Sequence, residues 1–414
     1  MNASAPNPLR LVLLLCGAEA LAMAGFGSYP ALLTTLQHAW TMNASEAGLV
    51  SGAFFLGYML TVPFLSGWTD RIDARLVFAF SSLLAAAASV CFGLFATGLY
   101  SGMLIQALAG AGLAGTYMPG LKAMTDRVQG PQQPRFISFY TATFGIGASG
   151  SLLLAGWLAN AFGWQTAFVL LGIFPVLACV WVLKGLQPCA VDKPRGRQGW
   201  GWARVWSQPI MRQYIIGYAV HCWELFGMRS WQVAFFSFAF AASASQAWLN
   251  PTEAAALLNL LGLPASILGN EVAMRWGRLR WIAVIMLGSG LLAWLAGVSV
   301  IWPWFITLGL TCLYNVVIMA DSASLTAGLV AHSESQQRGT AMALYSMAGF
   351  GAGFVSPVVF GAVLDLSGGQ HQATSWILAM GSLSLGCLFW GLRLLRTLQS
   401  EARRRSSMDR TSAS

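Results

Sequence analysis

Three ionisable residues inside one apolar stretch are the strongest candidates for chemistry in this chain. The stretch from Tyr214 to Ala241 is long enough to cross a bilayer, which takes about 20 residues, yet it contains HCWELFGMRSW, with His221, Glu224 and Arg229. Ionisable groups at such a depth are costly and mark ligand or ion pathways. His221 and Glu224 are three positions apart and share a helix face, which Met228 and Trp231 continue. Arg229 falls about 140° away from Glu224 on an ideal helix, so the two are not expected to pair. Glu224 with His221 is the candidate proton carrier. Arg229, with a planar fork of donors, suits an anionic ligand or a structural carboxylate such as Asp321. Glu19, roughly 15 Å into the first apolar run by helical rise, is expected to face the same cavity as Glu224. Tyr117, Asn315 and Trp231 are further candidates for its lining. For each of these residues the competing reading is structural: a hydrogen-bonded packing histidine, a capped carboxyl, an internal ion pair.

The elements that must position these residues are membrane helices. The chain has 414 residues, 57% hydrophobic and 9% charged, whereas soluble domains carry roughly 25% charged residues. Twelve apolar spans are expected, at 9–36, 46–66, 75–97, 99–123, 135–161 and 164–184, then 213–241, 250–273, 280–301, 303–330, 339–364 and 373–395. Alternating strands of barrel type are absent, which favours an all-α bundle. The segments divide as a first six-helix half, 1–184, a cytoplasmic central loop, 185–212, a second half, 213–397, and a disordered basic tail, 398–414. The net charge of +9 does not indicate nucleic acid, because the basic residues sit in short loops. Of 23 Lys and Arg, all but Arg229 fall on one side if both termini are cytoplasmic, the bias that sets topology. The seven cysteines form no CxxC pair and read as small packing residues.

An internal repeat at an offset of about 204 residues relates the halves. It sets Arg71 on Arg275, Arg135 on Arg338, Gly156 on Gly361 and Glu19 on Glu224. Arg229 has no basic counterpart, since Ala24 stands at the matching position.

The loop from Ser66 to Arg75, SGWTDRIDAR, resembles the signature loop of the major facilitator superfamily, of the form G-x-x-x-D-R-x-G-R-R. Asp70, Arg71 and Arg75 match its charged positions, while Asp73 and Ala74 stand where Gly and Arg are common. The equivalent loop of the second half keeps Arg275, Gly277 and Arg278, with Met274 in place of the Asp. Gly163 to Phe168, GWQTAF, and Arg338 to Ala341, RGTA, are similar to segments that open the sixth and eleventh helices of that family. The resemblance implies two pseudo-symmetric six-helix bundles and alternating access, with Asp70, Arg71, Arg75 and Arg275 at a cytoplasmic gate. It implies no substrate. Where many proton-coupled members carry an Arg, helix 4 here has Gln106. Helix 5 lacks the Gly-Pro pair of drug-proton antiporters.

The expected function is secondary active transport of a small organic solute, with an anion preferred because of Arg229, in the plasma or inner membrane. An ion gradient, protons among the candidates, is the expected energy source, and no cofactor is expected. The expected partners are the solute and the lipid bilayer, with no nucleic acid, and the chain is expected to be a monomer. A uniporter, an exchanger or a drug-efflux protein would use the same framework. A non-transporting sensor of the same fold is the reading from another class. No nucleophile constellation, metal cluster or nucleotide loop points to an enzyme.

Overall fold

A computed structural model describes residues 8–128, 130, 132–191, 201–334 and 337–412. Residues 192–200 of the expected central loop lie outside them. The first half contains α1 Pro8–Ala22, α2 Ser28–Trp40, α3 Ala44–Trp68, α4 Ala74–Phe95, α5 Leu99–Arg127, α6 Gln133–Phe162, α7 Trp164–Leu171 and α8 Ile173–Gly185. A short α9, Trp202–Ser207, precedes α10 Pro209–Ala242, α11 Pro251–Trp276, α12 Arg278–Val298, α13 Trp304–Met319, α14 Ser322–His332, α15 Arg338–Leu366 and α16 Ala373–Ser412. Ten helical stretches among the described residues are long and apolar enough to cross a membrane. Helices α5 and α10, 29 and 34 residues long, are not among the ten. They are the more polar pair, with Gln106 and Thr116 in one and His221, Glu224, Arg229 and Gln232 in the other.

Sequence signals account for many of the helix ends. Asn43 and Glu46 form a capping box at the start of α3, and Asn250 and Glu253 form the same box at the start of α11. Each supplies side-chain partners to otherwise orphaned backbone N–H groups. Three spans read as continuous are broken. Pro30 and Pro175 follow the breaks between α1 and α2 and between α7 and α8, where proline removes a backbone donor and clashes one turn back. The N–H of Gly27 at the first break is taken up by Ser151 Oγ at 2.9 Å. The third break, between α13 and α14, has no proline. Its Ala320 carbonyl accepts from Trp281 Nε1 at 2.9 Å. At the C-terminus the structure differs from the disordered tail expected over 398–414: α16 continues to Ser412. That segment has no Gly or Pro to end the helix, and four of its residues are Arg, a good helix former.

The helices pack through small residues. A Cβ at Gly110 would meet Phe54 O at 1.8 Å, and one at Gly57 would meet Ala107 O at 1.9 Å, so α3 and α5 touch backbone to backbone. Gly110→Val is therefore expected to cost at least about 1–3 kcal/mol by overpacking. The check is the melting temperature of the purified protein in detergent. Gly309→Ala, at a site with nothing within 4 Å, should leave it unchanged.

Near the Asp70 end an ionic cluster ties the first half together. Asp73 caps α4, accepts two bonds from Arg127 Nη2 at 2.8 and 2.9 Å and one from the Cys189 N–H at 2.9 Å, and lies 3.1 Å from Arg75 Nε. Burial works to raise the Asp73 carboxyl, but the Arg127 hydrogen bonds and the Cys189 and Arg75 N–H groups hold it below the ordinary carboxylate range. Its contribution is thus present at neutral pH and is lost only as pH falls through that lowered value.

Candidate functional site

Helix α10 presents its three ionisable residues to three different environments. His221 Nδ1 lies 2.7 Å from Asp321 Oδ1, both side chains almost fully enclosed, at the break between α13 and α14. Tyr218 stacks on His221 and, at 3.7 Å between centroids, on Tyr345. Glu224 turns into the second half, where Oε2 accepts from Ser289 Oγ of α12 at 2.8 Å and from the Cys387 thiol of α16 at 3.0 Å. Its Oε1 has no hydrogen-bond partner. Arg229, half-buried, points between the halves. Its Nη2 lies 3.8 Å from the Met319 thioether sulfur, and its Nε has no hydrogen-bond partner.

Asp321, one candidate partner for Arg229, faces His221 instead. Eight residues of helix, about 12 Å of rise, separate Arg229 from His221, and Asp321 is at the level of the latter. Glu19 is also enclosed in its own half, accepting from Tyr140 Oη at 3.1 Å, and Tyr117 stacks on Tyr140. Neither Glu19 nor Glu224 lines the cavity between the halves, contrary to the expectation of a shared cavity. Trp231 is fully buried within the second half. Its indole donates to Pro357 O at 3.0 Å and packs on Phe360. Asn315 Nδ2 donates to Leu258 O at 2.6 Å.

The cavity has about 470 Å³ of empty space, open mouth included. Arg229, Ser230 and Asn259 line it from the second half, and Tyr29, Ser51, Phe54, Phe55 and Gln106 from the first. Arg229 is the only ionisable group in that lining apart from the Tyr29 phenol. A second, similar space lies within the first half and shares Phe26, Phe54 and Gln106 with it. Ser51, Ser230 and Asn259 escaped the reading of the sequence. Asn259 alone left a trace there, as a single amide in the apolar run AAALLNLLG.

The halves are closed at one end. Asp365, in the last turn of α15, accepts from Ala44 N at 3.0 Å, Ser45 N at 2.8 Å and Ser45 Oγ at 2.6 Å, capping α3 of the other half. Gly48 and Gly361 bring α3 and α15 together there: an added Cβ would lie 2.3 Å from Pro357 O and 2.2 Å from Ala44 O respectively. Gln370 donates to Gln37 at 3.1 Å, and Ser51 to Ser230 at 2.9 Å just below. Tyr58 stacks on Phe350 at 3.6 Å. At the opposite end Asp70, Arg71, Arg275 and Arg338 are exposed, and the side chains of Asp70, Arg71 and Arg275 make no hydrogen bond or ion pair among the described residues. Arg75 is engaged within its own half, donating to Leu186 O at 2.7 Å. Charge-assisted bonds of the Asp365 kind contribute about 1.5–3 kcal/mol. Asp365→Ala is therefore expected to shift the balance at least about tenfold away from the state closed at this end. Spin-label distances across the Asp365 end should lengthen, and unchanged distances would rule the latch out.

Comparisons with known proteins converge on one family. Residues 15–255, more than half of the chain, match the family model of the Major Facilitator Superfamily. The niacin transporter NiaP of Acinetobacter baylyi is 26% identical over 166 residues, 40% of this chain and 38% of that protein. The uncharacterized MFS-type transporter YcaD of Salmonella arizonae is 30% identical over 173 residues, 40% of this chain and 44% of that one. The matched part thus spans less than half the length of these relatives. Among solved structures, a bacterial homolog of the human lysosomal transporter Spinster, inward-facing and occupied, superposes with a TM-score of 0.78 at 14% identity, over 96% of this chain and 98% of that one. Fold, helical membrane spans and family match agree: the chain is an integral membrane protein and belongs to the Major Facilitator Superfamily.

Proposed function

We propose that the chain is a secondary active transporter that carries a small organic anion, a carboxylate by preference, by alternating access between its halves. One observation carries this reading. Arg229 lines the cavity between the halves with an unpartnered Nε and no carboxylate against it among the described residues. A desolvated guanidinium without a counter-ion is costly to leave unpaired and is matched by a bidentate carboxylate. The niacin transporter among the relatives supports the same class, since niacin is itself an aromatic carboxylate.

The proposed topology has twelve spans, α5 and α10 completing the ten, and places both termini in the cytoplasm by the distribution of Lys and Arg. The Asp365 end is then external and the Asp70 end cytoplasmic, and the proposed state is one closed to the outside. Asp70, Arg71, Arg75 and Arg275 form the proposed cytoplasmic gate. Asp70, free here, would cap the start of α15 near Arg338 once that side closes. Glu19, Glu224 and His221 with Asp321 are the proposed coupling groups. A proton carried with a monoanion leaves no net charge to move across the membrane. A uniporter or exchanger would use the same cavity without proton flux.

A thermal-shift screen of small carboxylates, amines and sugars tests the substrate class. Carboxylates should stabilise the wild type and not Arg229→Ala. Stabilisation by amines or sugars alone would overturn the anion reading.

A further inference from the structure

We propose that the cavity selects a small aromatic carboxylate bearing a second polar group, and that Asn259 and Gln106 are the residues that read that group. This rests on the carboxylate reading of Arg229 given above.

The first-half side of the cavity carries a cluster of aromatic rings. Phe26, Phe54 and Phe55 meet in successive edge-to-face contacts, with centroids 5.5 and 5.6 Å apart. All three line the same space as Arg229. Such walls favour a flat ring, whose edge and face complement theirs, over a saturated ring of similar size. An acid without a ring would fill them poorly.

Two amides complete the lining, Gln106 from the first half and Asn259 from the second. Asn259 is 4% exposed and Gln106 5%. Neither side chain makes a hydrogen bond among the described residues, and Asn259 Oδ1 is buried without a partner. Native interiors rarely leave such groups unmatched, and an unmatched one calls for an explanation such as a ligand. Structural roles close to Asn259 are already taken: Asn315 satisfies the neighbouring Leu258 carbonyl. An amide offers both a donor and an acceptor, so the matching group on the ligand is a ring nitrogen, a hydroxyl or an amine. Arg229 and Asn259 belong to the second half, Gln106 and the rings to the first. One ligand therefore touches both halves, which is how its binding can bias their movement.

The test uses the purified full chain and four probes: pyridine-3-carboxylate, 4-hydroxybenzoate, benzoate and cyclohexanecarboxylate. Their affinities are measured by calorimetry on the wild type, Asn259→Ala, Gln106→Ala and Arg229→Gln. On the wild type, at least one of the two polar-substituted acids should bind about tenfold tighter than benzoate, the worth of one added hydrogen bond. Benzoate should bind tighter than cyclohexanecarboxylate, although the latter is the more apolar. Asn259→Ala or Gln106→Ala should bring the polar-substituted acids to within about threefold of benzoate and leave benzoate itself nearly unchanged. Equal affinities across the four acids on the wild type, with all four lost in Arg229→Gln, would overturn this inference and leave the carboxylate reading standing. No binding of any acid to the wild type would overturn both. The wild-type series decides the matter even if an amide variant does not fold.

Discussion

Arg229→Gln is expected to weaken binding and transport of a small carboxylate by about 10- to 150-fold, the equivalent of about 1.5–3 kcal/mol for hydrogen bonds to a charged group. Arg229→Lys should recover only part of the loss, because an ammonium keeps the charge but not the planar fork. The structure separates this effect from a loss of fold. Among the described residues the guanidinium has one polar contact, a thioether 3.8 Å away, and no carboxylate pairs with it. The melting temperature of the empty protein should therefore change little between wild type and Arg229→Gln, while stabilisation by ligand disappears. If Arg229 were a structural ion-pair member, the empty variant would instead be markedly destabilised, since breaking a buried pair costs about 3–5 kcal/mol.

Glu224→Gln is expected to abolish proton-driven accumulation, at least about tenfold at a fixed inward-directed pH gradient, while exchange of labelled for unlabelled substrate persists. Among the described residues the carboxyl accepts from the Ser289 hydroxyl and the Cys387 thiol, with Tyr314 close by, and no Lys or Arg pairs with it. Glutamine keeps the shape and one acceptor but cannot take or release the proton. The two modes of transport should therefore separate. If Glu224→Gln accumulates substrate down a pH gradient as well as the wild type does, coupling does not pass through Glu224. Glu19→Gln, measured in parallel, assigns the share of the pseudo-symmetric carboxyl beside Tyr140.

Local features were legible in the sequence and contacts at a distance were not. The capping boxes at Asn43 and Asn250 are complete within four residues, and the distribution of Arg and Lys outlines the loops without any three-dimensional information. The separation of Glu224 from Arg229 follows from helical geometry alone. In contrast, Asp365 was readable only as a carboxylate at a helix end, since the N–H groups it caps are 320 residues away. The break in the tenth span has no proline to announce it. It depends on His221 and Trp281, which reach it from other helices. Asp73, a departure from the family loop pattern, turned out to organise a cluster through Arg127 and the backbone of Cys189. Asn259 is a single amide in an apolar run, and its place in the cavity lining depends on contacts between helices that no local pattern records.

Counterflow in reconstituted vesicles tests most directly whether this protein moves a small carboxylate by alternating exposure of one Arg229 site. Vesicles loaded with a high concentration of unlabelled pyridine-3-carboxylate are diluted into a trace of the labelled acid, with no pH or voltage difference. A carrier with one alternating site accumulates label transiently above its equilibrium level, and the overshoot should be absent with Arg229→Gln. Label that only rises to equilibrium, or an overshoot that persists without Arg229, would contradict the account.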